Sequence, residues 1–189
     1  MPALRRYTSR MPPRSRPPDV VAVGRDPARA GHSPTDIFPF PVSKTPPDDR
    51  AYFEMMTWFV FSAGLNWKIM RSKWPAFTKA FRNYSLISVS KFGESDIDRL
   101  LADTSIVRNG KKIVSTIENA RTIRAIAKER GGMTPWIRTY GAEVAPLIKD
   151  TKKQFHHLGD TTARLFLCCA GAIEYQTWLP TEAQKGGRR

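Results

Sequence analysis

Cysteine, acidic side chains and long apolar runs are all scarce in this sequence of 189 residues. The two cysteines, Cys168 and Cys169, are adjacent, and adjacent residues close too small a ring for an ordinary structural disulfide. No apolar run approaches the ~18–20 residues that a membrane helix needs. Disulfide-dependent secretion therefore has no support, a membrane-spanning role is excluded, and we expect a reducing compartment.

Acidic residues are outnumbered by basic ones. The chain contains 31 Lys and Arg against 17 Asp and Glu, which gives a formal net charge of +14. A polyanion is the natural partner for such a charge, so nucleic acid is the expected ligand. The length fits one domain, or one domain with a tail, and disfavours a two-domain enzyme.

Proline divides the chain, because residues 1–47 contain 11 of its 15 prolines. Proline lacks the amide hydrogen that a helix or an inner strand uses, so we predict a disordered, basic tail over residues 1–47. This tail is either an arm that adds phosphate affinity or an extended start without a role of its own. A helical domain is expected over residues 48–180, and a short basic tail over residues 181–189.

Beyond residue 47 the apolar residues recur at helical spacing, and no segment has the alternation of a strand. The sequence therefore predicts an all-α fold with about seven or eight helices. The longest helix is expected from Lys111 to Arg130, with Gly131 at its end. Residues with capping chemistry mark the starts of the others: Asp48 or Asp49, Asn66, Ser85, Ser95, Thr134, and Asp160 or Thr161.

Residues 95–130 form the first candidate functional unit, in which a short helix, a tight turn at residues 106–110 and a long helix follow one another. This order is typical of a helix-hairpin-helix, whose turn amides and second helix start favour a phosphate. An ordinary helix pair with solvated lysines is the alternative that spacing alone leaves open. The positive charge of the chain favours the DNA-binding interpretation.

An aromatic helix leading to Trp67 is the second candidate. Phe53, Met56 and Val60 have the spacing of core residues, whereas Leu65 and Trp67 lie at a helix junction where Gly64 lets the backbone turn. Aromatic side chains at such a junction can form a pocket in which a base stacks.

Three segments together resemble a known family. They are Phe53-Glu54-Met55 followed by Ala63-Gly64-Leu65-Asn66-Trp67, the stretch from Asp103 to Asn119-Ala120-Arg121, and the stretch from Leu158-Gly159 to Ala170-Gly171. Their order and spacing are similar to those of the type I 3-methyladenine DNA glycosylases of the helix-hairpin-helix superfamily. The resemblance covers about residues 52–171 and leaves both ends unmatched.

This resemblance implies an enzyme that flips an alkylated purine out of duplex DNA and hydrolyses its N-glycosidic bond. The implied protein is monofunctional, monomeric and free of cofactor, and it acts on damaged double-stranded DNA in the cytoplasm, in a prokaryote at the nucleoid. Trp67 is expected to stack on the extruded base, and Leu65 to fill the gap in the duplex. Phosphates are expected to be held by Arg108, Asn109, Gly110, Lys111 and Lys112.

Two departures from the family pattern stand out. The base-reading glutamate of the family falls on Phe59. The resemblance therefore places Phe59 in the base pocket with Trp67, but a phenylalanine accepts no hydrogen bond from a base. No catalytic residue is assigned. Glu54 lies about 140° around the helix from Phe59 and is no obvious replacement. The late zinc ligands fall on Gln176 and Pro180, and the N-terminal tail offers only His32, so no metal is predicted.

Two other functions remain open from the sequence. One is a non-catalytic DNA-binding or lesion-sensing protein on the same scaffold, which the phenylalanine and the missing zinc ligands favour. The other is a general RNA or DNA binder with unrelated helices, which would show no preference for damaged duplex.

Overall fold

The computed structural model describes residues 38–174. Most of the predicted N-terminal tail, the predicted C-terminal tail at 181–189 and the end of the predicted domain lie outside the described residues. His32, Gln176 and Pro180, on which the zinc prediction depends, lie outside them as well.

Residues 38–174 form an all-α fold without strands, as predicted. A single 3₁₀ turn, Arg82–Tyr84, separates α2 from α3. The α-helices in chain order are α1 Asp49–Ser62, α2 Trp67–Ala80, α3 Leu86–Val89, α4 Glu94–Ala102, α5 Gly110–Arg130, α6 Met133–Arg138, α7 Val144–Gln154 and α8 Asp160–Cys169.

Helix α1 is the central element of the fold. It packs against α2, α5 and α8, and its residues from Met55 to Phe61 are all buried. A helix that is apolar around its whole circumference belongs inside a core, which explains this position. Its buried Thr57 is satisfied because the hydroxyl donates to the Phe53 carbonyl at 2.8 Å.

Several helix ends follow the sequence signals. The carboxylate of Asp48 accepts from the Ala51 amide at 2.7 Å, and the side chain of Asn66 accepts from the Lys68 amide at 2.9 Å. Gly131 ends α5 in the left-handed conformation with a φ of 77°. These predicted caps are confirmed, and α2 runs on through Pro75 as one helix.

Three predicted caps are wrong. Helix α8 begins at Asp160 after Gly159 without a capping side chain, so neither Asp160 nor Thr161 is its N-cap. Helix α4 begins after Gly93 and not after Ser95, because the Asp96 carboxylate accepts the Gly93 amide at 3.3 Å. Helix α6 begins at Met133 after Gly132, so the predicted cap Thr134 lies inside the helix, and the Met133 amide donates to the Asp49 carboxylate at 2.8 Å. Capping α6 from α1 is a tertiary contact, which local sequence rules do not contain. Helix α7 has no capping side chain and was not predicted.

Residues 38–47 differ from the disordered tail that the prolines predicted. Phe38, Phe40 and Val42 are half-buried and pack against the core. The guanidinium of Arg71 donates to the Phe38 carbonyl at 3.4 Å. The prolines remove helical and strand hydrogen bonds, but the phenylalanines between them bury apolar surface and hold the segment on the domain.

Candidate nucleic-acid interface

The hairpin turn, residues 103–109, connects α4 to α5 and is ordered by its own side chains. The Asp103 carboxylate accepts from both the amide and the hydroxyl of Ser105. The hydroxyl contact is the main reason why the pKa of Asp103 lies below its usual value. The turn therefore presents a fixed backbone to solvent.

The start of α5 has the geometry expected of a helix-hairpin-helix. Asn109 caps the helix, and its side-chain oxygen accepts from the Lys112 amide at 3.2 Å. Arg108 and Lys111 are exposed, whereas the backbone of Gly110 is buried. The first backbone hydrogen bond of α5 runs from the Ile113 amide to the Asn109 carbonyl at 2.9 Å, so exposed Lys111 lies at the helix start, where an anion is favoured.

Lys112 has a different position from the one predicted by the resemblance. Its side chain is only 8% exposed, and its ammonium donates to the carbonyls of Phe61 at 3.0 Å and Ala63 at 2.6 Å. Its charge is thus directed at the C-terminal end of α1, where the unsatisfied carbonyls of a helix favour a cation. Lys112 is therefore left out of the phosphate-binding set proposed below.

Residues 63–66, called the wedge loop after the role expected of Leu65, join α1 to α2. Gly64 adopts a left-handed conformation with a φ of 76°, which a glycine takes without strain. The Leu65 amide donates to the Ser62 carbonyl at 2.9 Å, and the Leu65 side chain is half-buried against the core. The predicted turn at Gly64 is confirmed.

Trp67 is the first residue of α2 and is half-buried. The ammonium of exposed Lys68 lies 5.7 Å from the centroid of the Trp67 ring. This distance is typical of a cation–π contact, so the ring already attracts a positive charge. A base can stack on that face of the ring only after Lys68 moves away.

Phe59 lies in an aromatic cluster with Phe38, Phe40, Trp58 and Phe166. It is 3% exposed, and its ring centroid is 5.6 Å from that of Phe38, 6.2 Å from Phe40 and 6.5 Å from Phe166. Phe38 and Phe40 stack on each other at 5.7 Å. The position of the family glutamate is thus surrounded by apolar rings. Phe38 and Phe40 were not expected here, because the prolines around them predict a disordered tail.

Buried polar contacts further along α5 were also missed. The carboxamide of Asn119 donates to the His156 carbonyl at 3.1 Å and accepts from the His156 amide at 2.8 Å. The neighbouring His157 has a φ of 59°, and its Nδ1 lies 2.8 Å from the Ser115 hydroxyl. Asn119 therefore fixes the turn that brings His157 to the α5 surface.

Lys73 connects α2 to the hairpin turn. Its ammonium donates to the carbonyls of Thr104 at 3.2 Å and Ser105 at 3.0 Å. No sequence motif indicated this contact. Within residues 38–174 there is no group of three side chains suited to hold a metal ion, and no helix is long and apolar enough to cross a membrane.

Solved structures share this all-α fold. The 3-methyladenine DNA glycosylase I of Staphylococcus aureus superposes with a TM-score of 0.64 at 24% identity, over 71% of this chain and 82% of that one. A variant of 3-methyladenine DNA glycosylase I in complex with 3-methyladenine gives a TM-score of 0.68 at 21% identity, over 78% and 91%. At these identities the likeness establishes the fold.

Sequence comparison establishes the family. A family model described as methyladenine glycosylase matches residues 43–173, so the chain belongs to this family. The chain is 32% identical to DNA-3-methyladenine glycosylase 1 of Escherichia coli over 74 residues, which span 39% of this chain and 40% of that protein. It is 20% identical to the DNA-3-methyladenine glycosylase of Haemophilus influenzae over 148 residues, 67% of this chain and 80% of that protein.

Proposed function

We propose that this protein is a monofunctional DNA N-glycosylase that removes alkylated purines from duplex DNA by base flipping. The observation that carries the proposal is the position of Trp67. The ring begins α2 directly after the wedge loop, and the same end of α1 is bonded to the start of α5 through Lys112. These contacts support the proposal because they connect Trp67 and Leu65, the residues proposed to stack and to wedge, with the helix start proposed to bind phosphate.

Chemistry supports an alkylated purine as the substrate. A purine alkylated on the ring is cationic and already a good leaving group, so less catalysis is needed than for a normal base. The Lys68 ammonium beside Trp67 indicates that this ring attracts cations, and an extruded cationic base takes that place when Lys68 moves to the phosphates. Water then attacks the sugar carbon and leaves an abasic site. Such a reaction needs no cofactor.

The duplex is held by charge at the hairpin. Arg108 and Lys111 are exposed beside the α5 start, and Asn109 and Gly110 supply the backbone there. We propose that Arg108, Asn109 and Lys111 bind the DNA phosphates, whereas buried Gly110 is left out as Lys112 is. We also propose that Leu65 enters the gap left by the flipped base and that the protein acts as a monomer. Family membership and the excess of basic residues support DNA as the ligand.

The aromatic cluster favours a second candidate function. Phe59 cannot accept a hydrogen bond from a base, and aromatic rings contact it on several sides. A non-catalytic lesion sensor that keeps the wedge and the hairpin also agrees with this arrangement. The two functions differ in turnover, because an enzyme makes abasic sites in excess of its own concentration and a sensor protects the site that it binds.

Release of free base from methylated duplex DNA under multiple-turnover conditions tests the proposal. The wild type is expected to release an alkylated purine, and Trp67→Ala to lose release by roughly 10- to 100-fold, the effect of one lost base-stacking contact. Binding to undamaged duplex at low salt is expected to change little, and Trp67→Phe, which keeps an aromatic ring, to retain most activity. Absence of any base release with tight lesion binding would establish the sensor. Equal loss of release and duplex binding in Trp67→Ala contradicts the role of Trp67.

A further inference from the structure

Two lysines connect the hairpin and the wedge loop in opposite directions. Lys112 reaches from α5 to the end of α1, where its ammonium bonds the carbonyls of Phe61 and Ala63, the first residue of the wedge loop. Lys73 reaches from α2, which follows the wedge loop, to the carbonyls of Thr104 and Ser105 in the hairpin turn. Each lysine joins one helix to the backbone of the other unit.

In these contacts the lysine ammonium groups bind main-chain carbonyls of the protein and not a phosphate. Each ammonium donates two hydrogen bonds to main-chain carbonyls, so it fixes the backbone and not merely a neighbouring side chain. Lys112 is buried, and a buried cation is held firmly by its partners because losing them leaves an uncompensated charge. The distance between the two loops is thereby fixed before DNA arrives.

We propose that Lys112, assisted by Lys73, is a positioning residue that fixes the wedge loop relative to the hairpin, so that binding of phosphate and insertion of Leu65 occur together. The inference rests on the proposed function, because it requires that Leu65 enters DNA. It predicts that removal of the ammonium uncouples the two events. Without the ammonium, the hairpin still binds the DNA phosphates, but Leu65 is no longer held in the position from which it enters the base stack.

A double-mutant cycle between Lys112→Met and Leu65→Ala tests this inference. Base extrusion is measured by the fluorescence of 2-aminopurine placed beside a lesion in duplex DNA, and affinity for undamaged duplex is measured in parallel. Each single variant is expected to lower extrusion by roughly tenfold, and the double variant to be no worse than Leu65→Ala alone, because coupled residues are not additive. Duplex affinity is expected to change less than about threefold in all three, since charge at the hairpin supplies it.

Two further variants separate positioning from other effects. Lys128→Met removes one charge at the far end of α5 and is expected to leave extrusion unchanged. Lys73→Met removes the second connection at a more exposed position, so it tests the inference if Lys112→Met fails to fold. It is expected to lower extrusion by roughly threefold, again without further loss when combined with Leu65→Ala.

The possible results separate the positioning role of Lys112 from the proposed glycosylase function. Additive losses in extrusion, or parallel losses in extrusion and duplex binding, overturn the positioning role while the wild type still extrudes the base. A wild type that neither extrudes 2-aminopurine nor releases a damaged base overturns the proposed function, and the inference with it.

Discussion

The hairpin side and the aromatic cluster both adjoin the C-terminal half of α1, and their chemistry is opposite. On the hairpin side, Lys112 bonds the α1 carbonyls and exposed Arg108 and Lys111 surround a helix start. In the aromatic cluster, Phe59 lies among phenylalanine rings and is almost fully buried. The hairpin side is therefore suited to bind a polyanion, whereas the aromatic cluster has no group that could hydrogen-bond a base at Phe59.

The largest effect is expected from Phe59→Glu, which returns the family's residue type to the cluster. A carboxylate there would lie among the rings of Phe38, Phe40 and Phe166, and burial raises the pKa of such a group. We expect a loss on the order of 3 kcal/mol in the free energy of unfolding at pH 7. A raised pKa in the folded state means that the loss grows as pH rises above about 4.3, the ordinary value. Urea unfolding at pH 5 and pH 7 measures it.

Phe59→Leu is the matched control for that variant. It keeps an apolar side chain and is expected to cost about 1 kcal/mol at both pH values, because only packing changes. Equal stability of Phe59→Glu and wild type at pH 7 would mean that the position is hydrated, and the contrast between the two regions would then fail.

Part of the polar framework near the hairpin could be predicted from the sequence. The apolar stripe predicts α5 from Lys111, one residue after its start at Gly110; the Asn109 cap was not predicted, although asparagine is a preferred cap residue. The Asn66 cap and the Gly64 turn follow from local rules. These caps and turns depend on residues next to one another in the chain, which is why they can be predicted from the sequence.

Contacts between distant segments could not be predicted. Asp49 caps α6 across 84 positions of sequence, and Lys112 bonds carbonyls about fifty residues away. Phe38 and Phe40 bury themselves despite the neighbouring prolines, since tertiary packing outweighs local composition. Whether a lysine points to solvent or to a helix end depends on the packing of other helices, and the spacing of residues in the sequence does not contain that information.

An intermediate effect is expected when the charge of the hairpin is reversed. Arg108→Glu combined with Lys111→Glu should weaken binding to every duplex by roughly 10- to 100-fold at low salt and reduce the salt slope by about two, because two phosphate contacts are lost. Fluorescence anisotropy at several salt concentrations measures both quantities. Damaged and undamaged duplex should be affected alike.

The control for this pair makes the same change in net charge at the other end of α5. Lys128→Glu combined with Arg130→Glu alters the last turn of the helix. If the hairpin is the contact, this control keeps most of the salt slope. A similar fall in slope for both pairs would show that total charge, and not the hairpin, determines duplex affinity.

The smallest effect is expected from Asp103→Asn in the hairpin turn. The hydrogen bonds from Ser105 hold the pKa of the Asp103 carboxyl below its usual value, so the charged form stabilises the folded turn. That stability is present above about pH 4, the unfolded value, and is lost as pH falls through the lower folded value. Wild type should exceed Asp103→Asn by less than about 1 kcal/mol at pH 7 and match it near about pH 2.

Glu129→Gln, an exposed change at the end of α5, controls for the loss of one acidic group. Thermal unfolding of the three proteins across this pH range gives the comparison. A constant difference between wild type and Asp103→Asn at every pH would assign the effect to the shape of the amide and not to charge. In that case the order of the hairpin turn would rest on its backbone and on Lys73, whose two bonds to Thr104 and Ser105 do not depend on the Asp103 carboxylate.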